Sequence, residues 1–382
     1  MKIGFDAKRA AQNRTGLGNY SRFVLRLLRR YAPEAECVLY VPQPRQAKHL
    51  AEVPGVEGCS VVSPRSWLGR LVPSVWRTAG LAQALRRDGV ALYHGLSNEL
   101  PLGIRRVGCR SVVTIHDVIF LHHPEYYKPI DRFIYRLKFR HAARVADCVV
   151  AVSEYTRSEL VRWLGVPAEK IEVLYQGQQL DFAHVGEADR QAVRQRYGLP
   201  PRYILYVGTL EERKNLLLAA RAMACLRRQG LLPEDMRLVA VGRATPYLDT
   251  LRRFLAAEGL SDRFLFLHNV SFDHLPACYL MADFMVYPSR IEGFGIPLLE
   301  AAAAGLPAIG CTGSSLEEAG GEGAFYVDPD DAQGMADCML RLWRDEALRH
   351  TCSAKGLEYA GHFTDKALAE KLLDLYRRVL DA

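Results

Sequence analysis

The sequence predicts an α/β protein with two doubly wound parallel sheets, and three observations carry that prediction. The first is length: 382 residues at 49% hydrophobic content can bury two substantial cores. The second is an alternation of short apolar runs, at residues 2–5, 37–41, 91–93, 111–115 and 148–152, with segments of helical period between them, the rhythm of a βαβ sheet. The third is that the rhythm restarts, at 203–207, 237–241, 264–268, 284–287 and 307–310, after a polar stretch over 178–202. The domain boundary is expected in that stretch, giving two Rossmann-like domains, 1–180 and 181–364, facing across a cleft. Residues 365–382 read as an amphipathic helix with Leu368, Leu372, Leu375 and Val379 on one side. That helix either caps the second domain or packs back toward the first.

Charge is distributed unevenly. Residues 1–180 hold 27 Lys and Arg against 15 Asp and Glu, whereas the remainder holds 23 against 28. A basic first half suits an anionic surface, such as lipid headgroups or a phosphate-bearing acceptor. Arginines 22, 26, 29 and 30 line one side of a predicted helix over 21–31, opposite Phe23, Val24, Leu27 and Leu28. Arg132, Arg136, Arg140 and Arg144 recur at four-residue spacing on another, and Trp67 to Trp76 interleaves aromatic and basic residues. No recognised nucleic-acid module surrounds these residues, so nucleic acid is not an expected partner. No run approaches the ~18 apolar residues of a membrane span, and Met1 leads straight into a strand without a signal-peptide core. A cytoplasmic protein is expected, peripheral on the inner membrane face if its basic half meets lipid. Nine scattered cysteines form no C-x-x-C pair and are expected to be reduced.

Ligands of doubly wound sheets bind outside the carboxyl ends of the strands, so the loops there carry the candidate chemistry. Residues 14–20, Arg-Thr-Gly-Leu-Gly-Asn-Tyr, join the first strand to a helix; Gly16 and Gly18 permit close backbone approach to a phosphate, or make a tight turn. Glu292, Gly293, Phe294, Gly295, Ile296 and Pro297 precede Glu300 by a helix turn or two. Pro297 suits a first helical turn, which would aim free N–H groups of Gly293 to Ile296 at an anion. On spacing alone, Glu292 and Glu300 either accept hydrogen bonds from sugar and ribose hydroxyls, or are a helix cap and a solvated residue. His116 and Asp117 follow one apolar strand. Ser153 and Glu154 follow another, where Ser153 lines the site or caps a helix.

The stretch EGFGIPLLEAAAAGLP strongly resembles the Glu-x7-Glu signature of family 4 glycosyltransferases. RTGLGNY, VVTIHDVIF, AVSEYTRSEL with KIEVLYQGQ, ILYVGTLEERKNL and LPACYLMADFMVYPSRIEGFG resemble further family segments in the expected order along nearly the whole chain. The resemblance implies a GT-B fold and retaining transfer of a sugar from a nucleotide donor to a glycan or lipid-linked acceptor. It implies that Glu300 binds the donor ribose, Glu292 the transferred sugar's hydroxyls, and the amides of Gly293, Phe294, Gly295 and Ile296 the phosphate and sugar. Lys214, with Arg213, would neutralise the leaving diphosphate. Thr209 stands where the family often has an earlier Arg. His116 would lie against the donor sugar, Gly16 and Gly18 near the donor, Asn269 and Val270 near the nucleobase, and Asp117, Ser153 and Glu154 on the acceptor or sugar side. No metal and no cofactor beyond the nucleotide sugar are implied, and Asp328-Pro329-Asp330-Asp331 resembles a late family turn. GDP-mannose is the favoured donor, with UDP-sugars open. The competing readings are another GT-B enzyme, such as a sugar-nucleotide epimerase, and a catalytically silent nucleotide-sugar binding module.

Overall fold

The computed structural model describes residues 1–13, 16–43, 49–53 and 55–382, which fold into two compact units. Met1–Gly177 and Thr364–Ala382 form the first, and Gln178–Phe363 forms the second. Arg14 and Thr15 of the glycine-bearing segment lie outside the described residues.

The first unit is built on a seven-stranded sheet of β1 (Lys2–Asp6), β2 (Glu36–Tyr40), β3 (Ser60–Val62), β4 (Leu92–Gly95), β5 (Arg110–Ile115), β6 (Cys148–Ala151) and β7 (Ile171–Val173). Its order is β3-β2-β1-β4-β5-β6-β7, and every pairing is parallel. The second unit carries β8 (Ile204–Val207), β9 (Leu238–Val241), β10 (Phe264–Leu267), β11 (Phe284–Tyr287), β12 (Ala308–Cys311) and β13 (Ala324–Val327), ordered β10-β9-β8-β11-β12-β13 and again all parallel. Helices cover both faces of such sheets, which is why the central strands are continuous apolar runs without alternation. Strand order reverses between β1 and β4 in one unit and between β8 and β11 in the other. Those two reversals are the crevices where a doubly wound sheet holds ligands.

The sequence pattern misses β3, β7 and β13. All three are edge strands of three or four residues, and most of their residues are at least partly exposed. A strand with one neighbour and a wet face needs little apolar patterning. The polar stretch over 178–202 contains the helix Glu187–Tyr197, which buries only Val193 and belongs to the second unit. Tyr197 holds that helix in place through a 2.9 Å bond between its hydroxyl and His274 Nδ1.

The carboxy-terminal helix, Asp365–Asp381, is part of the first unit and does not cap the second. It buries Leu368, Leu372, Leu375, Tyr376 and Val379, and packs on the helix Gly16–Tyr31. Two ion pairs fasten it, Arg26 to Asp365 at 3.3 Å and Arg378 to Glu172 at 2.5 Å. Polar atoms fasten it more deeply. His94 Nδ1 bonds the Tyr376 hydroxyl at 2.7 Å, His94 Nε2 bonds Thr114 Oγ1 at 2.8 Å, and the same Thr114 oxygen bonds the Tyr20 hydroxyl at 2.9 Å. All four side chains are buried, so one continuous hydrogen-bonded chain crosses from helix to sheet to helix. Burial pushes the His94 imidazole down to about 3, which keeps this chain neutral.

The arginine stripe of the helix Gly16–Tyr31 is used internally. Arg22 donates to the Ala10 and Asn13 carbonyls at 2.9 and 2.8 Å, and Arg29 to those of Gly55, Pro33 and Ala35. Those guanidiniums close loop carbonyls rather than presenting a lipid-facing stripe. The helix Pro129–Val145 differs, since Ile130, Phe133 and Leu137 are 62%, 61% and 56% exposed beside Arg136 and Arg140.

Tyr376→Phe deletes the hydroxyl and leaves a buried His94 nitrogen unpaired. Urea unfolding is expected to show a loss of about 1–3 kcal/mol with an unchanged denaturant slope. A loss under roughly 0.5 kcal/mol would contradict the role assigned to the chain of bonds.

Candidate active site

In the second unit, two loops leave the sheet at the strand-order reversal. The loop after β8 reaches a single 3-10 turn, Glu212–Lys214, and the loop after β11 runs through Ser289 and Glu292 to the helix Ile296–Ala303. Their charged side chains meet at one buried carboxylate. Lys214 Nζ donates to Glu292 Oε1 and, at 2.7 Å, to the Tyr287 hydroxyl. The Tyr287 hydroxyl in turn donates to Glu292 Oε1 at 3.1 Å, and Ser289 Oγ donates to the same oxygen at 2.5 Å. Arg213 Nη1 lies 3.1 Å from Glu292 Oε2 and donates to the Ile291 carbonyl at 2.6 Å, while its Nη2 donates to Glu211 at 2.9 Å.

Burial by itself would raise the Glu292 carboxyl. The charges of Arg213 and Lys214, with the bonds from Lys214 and Ser289, outweigh it and hold the group down to about 2. Burial likewise pushes the Lys214 ammonium down, against the pull of Glu292. Two cations, each less than a fifth exposed, thus converge on one buried carboxylate beside the amino terminus of a helix, with the more exposed Glu211 paired to Arg213 on its other side; a helix start of this kind favours an added anion.

The backbone of that helix start is fixed from both sides. Gly295 has φ +110°, and a Cβ there would stand 2.6 Å from Leu316 Cδ2, so only glycine fits. Ser315 Oγ, buried, lies 2.9 Å from the carbonyl oxygens of both Glu292 and Phe294. Asn215, in the left-handed region at φ 55°, donates its side-chain amide to the Pro329 carbonyl at 2.8 Å, and Arg290 pairs with Asp330 at 2.6 Å. Asp331 caps the helix Ala332–Arg344. The 328–331 aspartates are therefore occupied in a turn and a cap, and among the described residues no group of three His, Cys, Asp or Glu is arranged to hold a metal ion.

Glu300 sits on the same helix, 7% exposed, and its Oε2 accepts a 2.6 Å bond from the Tyr279 hydroxyl. Burial pushes its carboxyl up to about 7, with the Tyr279 bond opposing. Unlike Glu292, it has no cation among the described residues to offset desolvation. Asn269 and Val270 follow β10, the edge strand, away from the reversal.

In the first unit, His116 follows β5. Its Nε2 donates to the Leu96 carbonyl at 3.0 Å, its backbone N–H donates to Asn98 Oδ1 at 2.8 Å, and the Tyr20 ring meets it edge-on at 4.6 Å. Burial pushes the imidazole down to about 4. A carbonyl can only accept, so Nε2 carries the proton of the neutral ring and Nδ1 is the acceptor. Asp117 Oδ1 accepts from the Ile119 N–H at 3.2 Å. Ser153 is a helix cap, its Oγ accepting from the Thr156 N–H at 2.9 Å, and the exposed Glu154 pairs with Arg157 in the first turn. Gly16 and Gly18 lie inside the first turn of their helix. A Cβ on Gly18 would run into the Asn13 carbonyl, so that glycine serves close packing.

Sequence reasoning therefore finds Glu292, Lys214 and Arg213, which the fold gathers, and Glu300 beside them on its helix. It does not single out Tyr279, Tyr287, Ser289 or Ser315, whose hydroxyls hold the carboxylates and the loop. Tyr279, Tyr287 and Ser289 fall within quoted motif stretches, yet nothing in their spacing says which carboxylate each meets.

Residues 189–359 match the family model described as "Glycosyl transferases group 1", and residues 20–182 match "Glycosyltransferase Family 4". A relative named "O-antigen chain mannosyltransferase B" from Escherichia coli is 30% identical over 395 residues, covering 99% of this chain and all of its own length. The chain is a family 4 glycosyltransferase. A further relative, "GDP-mannose-dependent alpha-(1-6)-phosphatidylinositol monomannoside mannosyltransferase" from Mycobacterium tuberculosis, is 33% identical over 60% of this glycosyltransferase and 62% of its own length. Among solved structures, Anabaena HepE in complex with UDP and glucose superposes with a TM-score of 0.75 at 19% identity, covering 99% of this chain and 100% of that one. The two parallel-sheet units are thus those of a GT-B glycosyltransferase.

The raised Glu300 carboxyl makes the glycosyltransferase's stability depend on pH. Because its folded value exceeds the unfolded one, its contribution is complete below about pH 4.5 and is lost as pH rises through about 7. Glu300→Gln, which keeps an acceptor for Tyr279, is expected to be more stable than wild type at pH 8, by on the order of 3 kcal/mol, with the advantage gone by about pH 5. Chemical denaturation across that range checks it, and a pH-independent difference would refute it.

Proposed function

We propose that this glycosyltransferase moves a mannosyl residue from GDP-mannose to a glycan or lipid-linked acceptor, with retention of anomeric configuration. The observation that carries the reading is the Glu292 cluster, in which Lys214 and Arg213 converge on one buried carboxylate beside a helix amino terminus. A nucleoside diphosphate placed there meets both cations and the amides of Gly293, Phe294, Gly295 and Ile296, and charge building on the leaving oxygen is stabilised where water is excluded. Glu292 then shares its bonds with hydroxyls of the transferred sugar. Glu300, whose Oε2 accepts from Tyr279, also accepts from a ribose diol. His116 Nδ1 accepts from a sugar hydroxyl.

In the step itself the bond from the anomeric carbon to the diphosphate oxygen breaks, and the acceptor oxygen attacks from the face the leaving group vacates. The acceptor's proton passes to the departing diphosphate, so no protein nucleophile takes part and no metal is required. The sugar and base are favoured by the names of the two relatives, one an O-antigen mannosyltransferase and one GDP-mannose-dependent. Placement in the cytoplasm, against the anionic inner face of a membrane, fits the exposed apolar and basic helix Pro129–Val145. Among the described residues no helix is long and apolar enough to cross a membrane.

A thermal-shift panel of GDP, UDP and ADP tests the donor. GDP at about a hundred times its Kd is expected to stabilise the protein by roughly 2.7 kcal/mol, with UDP and ADP giving less and Glu300→Ala losing the response. A larger response to UDP would overturn the mannose assignment, and none to any nucleotide would overturn the transferase site. Lys214→Met is expected to lower the transfer rate by about 10²–10³ with GDP-mannose saturating. Retention of more than a tenth of the rate would remove Lys214 from leaving-group stabilisation.

A further inference from the structure

Lys214 carries its ammonium on a flexible four-carbon stem, which holds a single geometry only where the nitrogen is tethered at more than one point. Glu292 Oε1 is one tether, and the Tyr287 hydroxyl, 2.7 Å from Lys214 Nζ, is another. That hydroxyl also lies 3.1 Å from Glu292 Oε1. An ammonium only donates and an ionised carboxylate only accepts, so the phenol oxygen accepts from Lys214 and gives its single proton to Glu292. Nitrogen, phenol oxygen and carboxylate oxygen form a closed triangle of three hydrogen bonds. Two of the three ammonium protons are committed within it, and the third has no acceptor among the described residues. Because the protons are tetrahedrally disposed, fixing two directions fixes the third.

The sheet holds this triangle in place. Tyr287 closes β11 and is 2% exposed, and Tyr206, on neighbouring β8, is fully buried. Their rings stack with centroids 6.5 Å apart and planes 28° apart. The Tyr206 hydroxyl donates to the Thr209 carbonyl at 3.1 Å, so the ring that backs Tyr287 also fastens the loop leading to Lys214. Burial, and after it the charge of Glu292, pushes the Tyr287 phenol far up, so the phenol keeps the proton that it donates. Arg213 and Glu211 are the other charges that act on Lys214, and they pair with each other at 2.9 Å. Neither fixes the direction of the Lys214 protons; the phenol and Glu292 do. Donors set in direction beforehand stabilise charge developing on a leaving oxygen without reorganising at the moment of reaction.

We propose that Tyr287 is a positioning residue for the transfer, holding the Lys214 ammonium so that its third proton is aimed at the diphosphate oxygen on which charge develops. The proposal rests on the transferase reading and adds a residue that acts on the reaction through Lys214.

Two measurements test it. In protein carrying isotope-labelled lysine, the NMR signal of the Lys214 ammonium is identified by its loss in Lys214→Met. Tyr287→Phe is expected to speed hydrogen exchange of that ammonium with water by about tenfold or more, and an unchanged rate overturns the proposal. The second measurement is GDP release from GDP-mannose, with water and octyl mannoside as acceptors. Tyr287→Phe is expected to lower kcat about tenfold with KM changed by less than about threefold, and to slow Lys214→Met by less than about twofold further. A role confined to loop order gives the opposite pattern, a raised KM and a double variant much slower than Lys214→Met, and that pattern overturns the proposal. Tyr287→Phe turning over as wild type does overturns it too. Should Tyr287→Phe fail to fold, difluorotyrosine at position 287 keeps the ring and both bonds while making the oxygen a poorer acceptor. It is expected to speed the exchange and to lower kcat about twofold or more, and no change in either overturns the proposal. GDP binding is followed on the same samples, and the exchange measurement needs no turnover. Failure of wild type to bind GDP removes the transferase reading, whereas GDP binding with exchange unchanged in Tyr287→Phe overturns the proposal alone.

Discussion

The second unit is organised around one buried carboxylate. Glu292 accepts from Lys214, Tyr287 and Ser289 on one oxygen and faces Arg213 on the other, so it ties the loop after β8 to the loop after β11. Removing a charge of this kind from water costs several kcal/mol, which only good geometry and further hydrogen bonds offset. The cluster has both. The same desolvation that makes Glu292 expensive also amplifies the field of its cations, and the interaction orders both loops. The neighbouring helix start is fixed separately, by Ser315 and the glycine at 295.

Glu300 shows what happens without such compensation. It is as buried as Glu292 and lies on the helix that follows, yet it is bonded by a neutral phenol, and its carboxyl is pushed up to about 7 while that of Glu292 is held down to about 2. Two identical side chains separated by seven residues are thus set apart by their surroundings. One is an anion clamped between cations, and the other is a carboxyl held by a phenol alone. The first unit solves a related problem with neutral groups: His94 and His116 are both pushed far below the physiological range by burial, and their bonds to Tyr376, Thr114 and Leu96 use the uncharged ring.

Much of this was legible in the chain. Parallel strands buried on both faces appear as apolar runs, and ten of the thirteen strands overlap the runs first picked out. The short edge strands β3, β7 and β13 carry little such signal, because an edge has one partner and a wet face. Glu292 and Glu300 stood out by their fixed spacing around a glycine-rich helix start. Their partners did not: Tyr279 is far from Glu300 in sequence, and Ser315 reaches back across a strand to close the 292–294 loop. The arginines of the helix Gly16–Tyr31 looked like a surface stripe, since amphipathic period is the same whether the polar face meets solvent or the carbonyls of neighbouring loops.

What the sequence determined by itself is the class of fold, the repeat of the βαβ rhythm and the residue types that can carry charge transfer at strand ends, because these follow from local periodicity and from helix-start chemistry. Only the tertiary structure decided that the last helix belongs to the first unit, that Tyr287 meets both Lys214 and Glu292, and that one carboxylate is clamped by cations while its neighbour is not. Those outcomes depend on burial and on which distant side chains share a few ångströms of low-dielectric space, and no linear spacing encodes that.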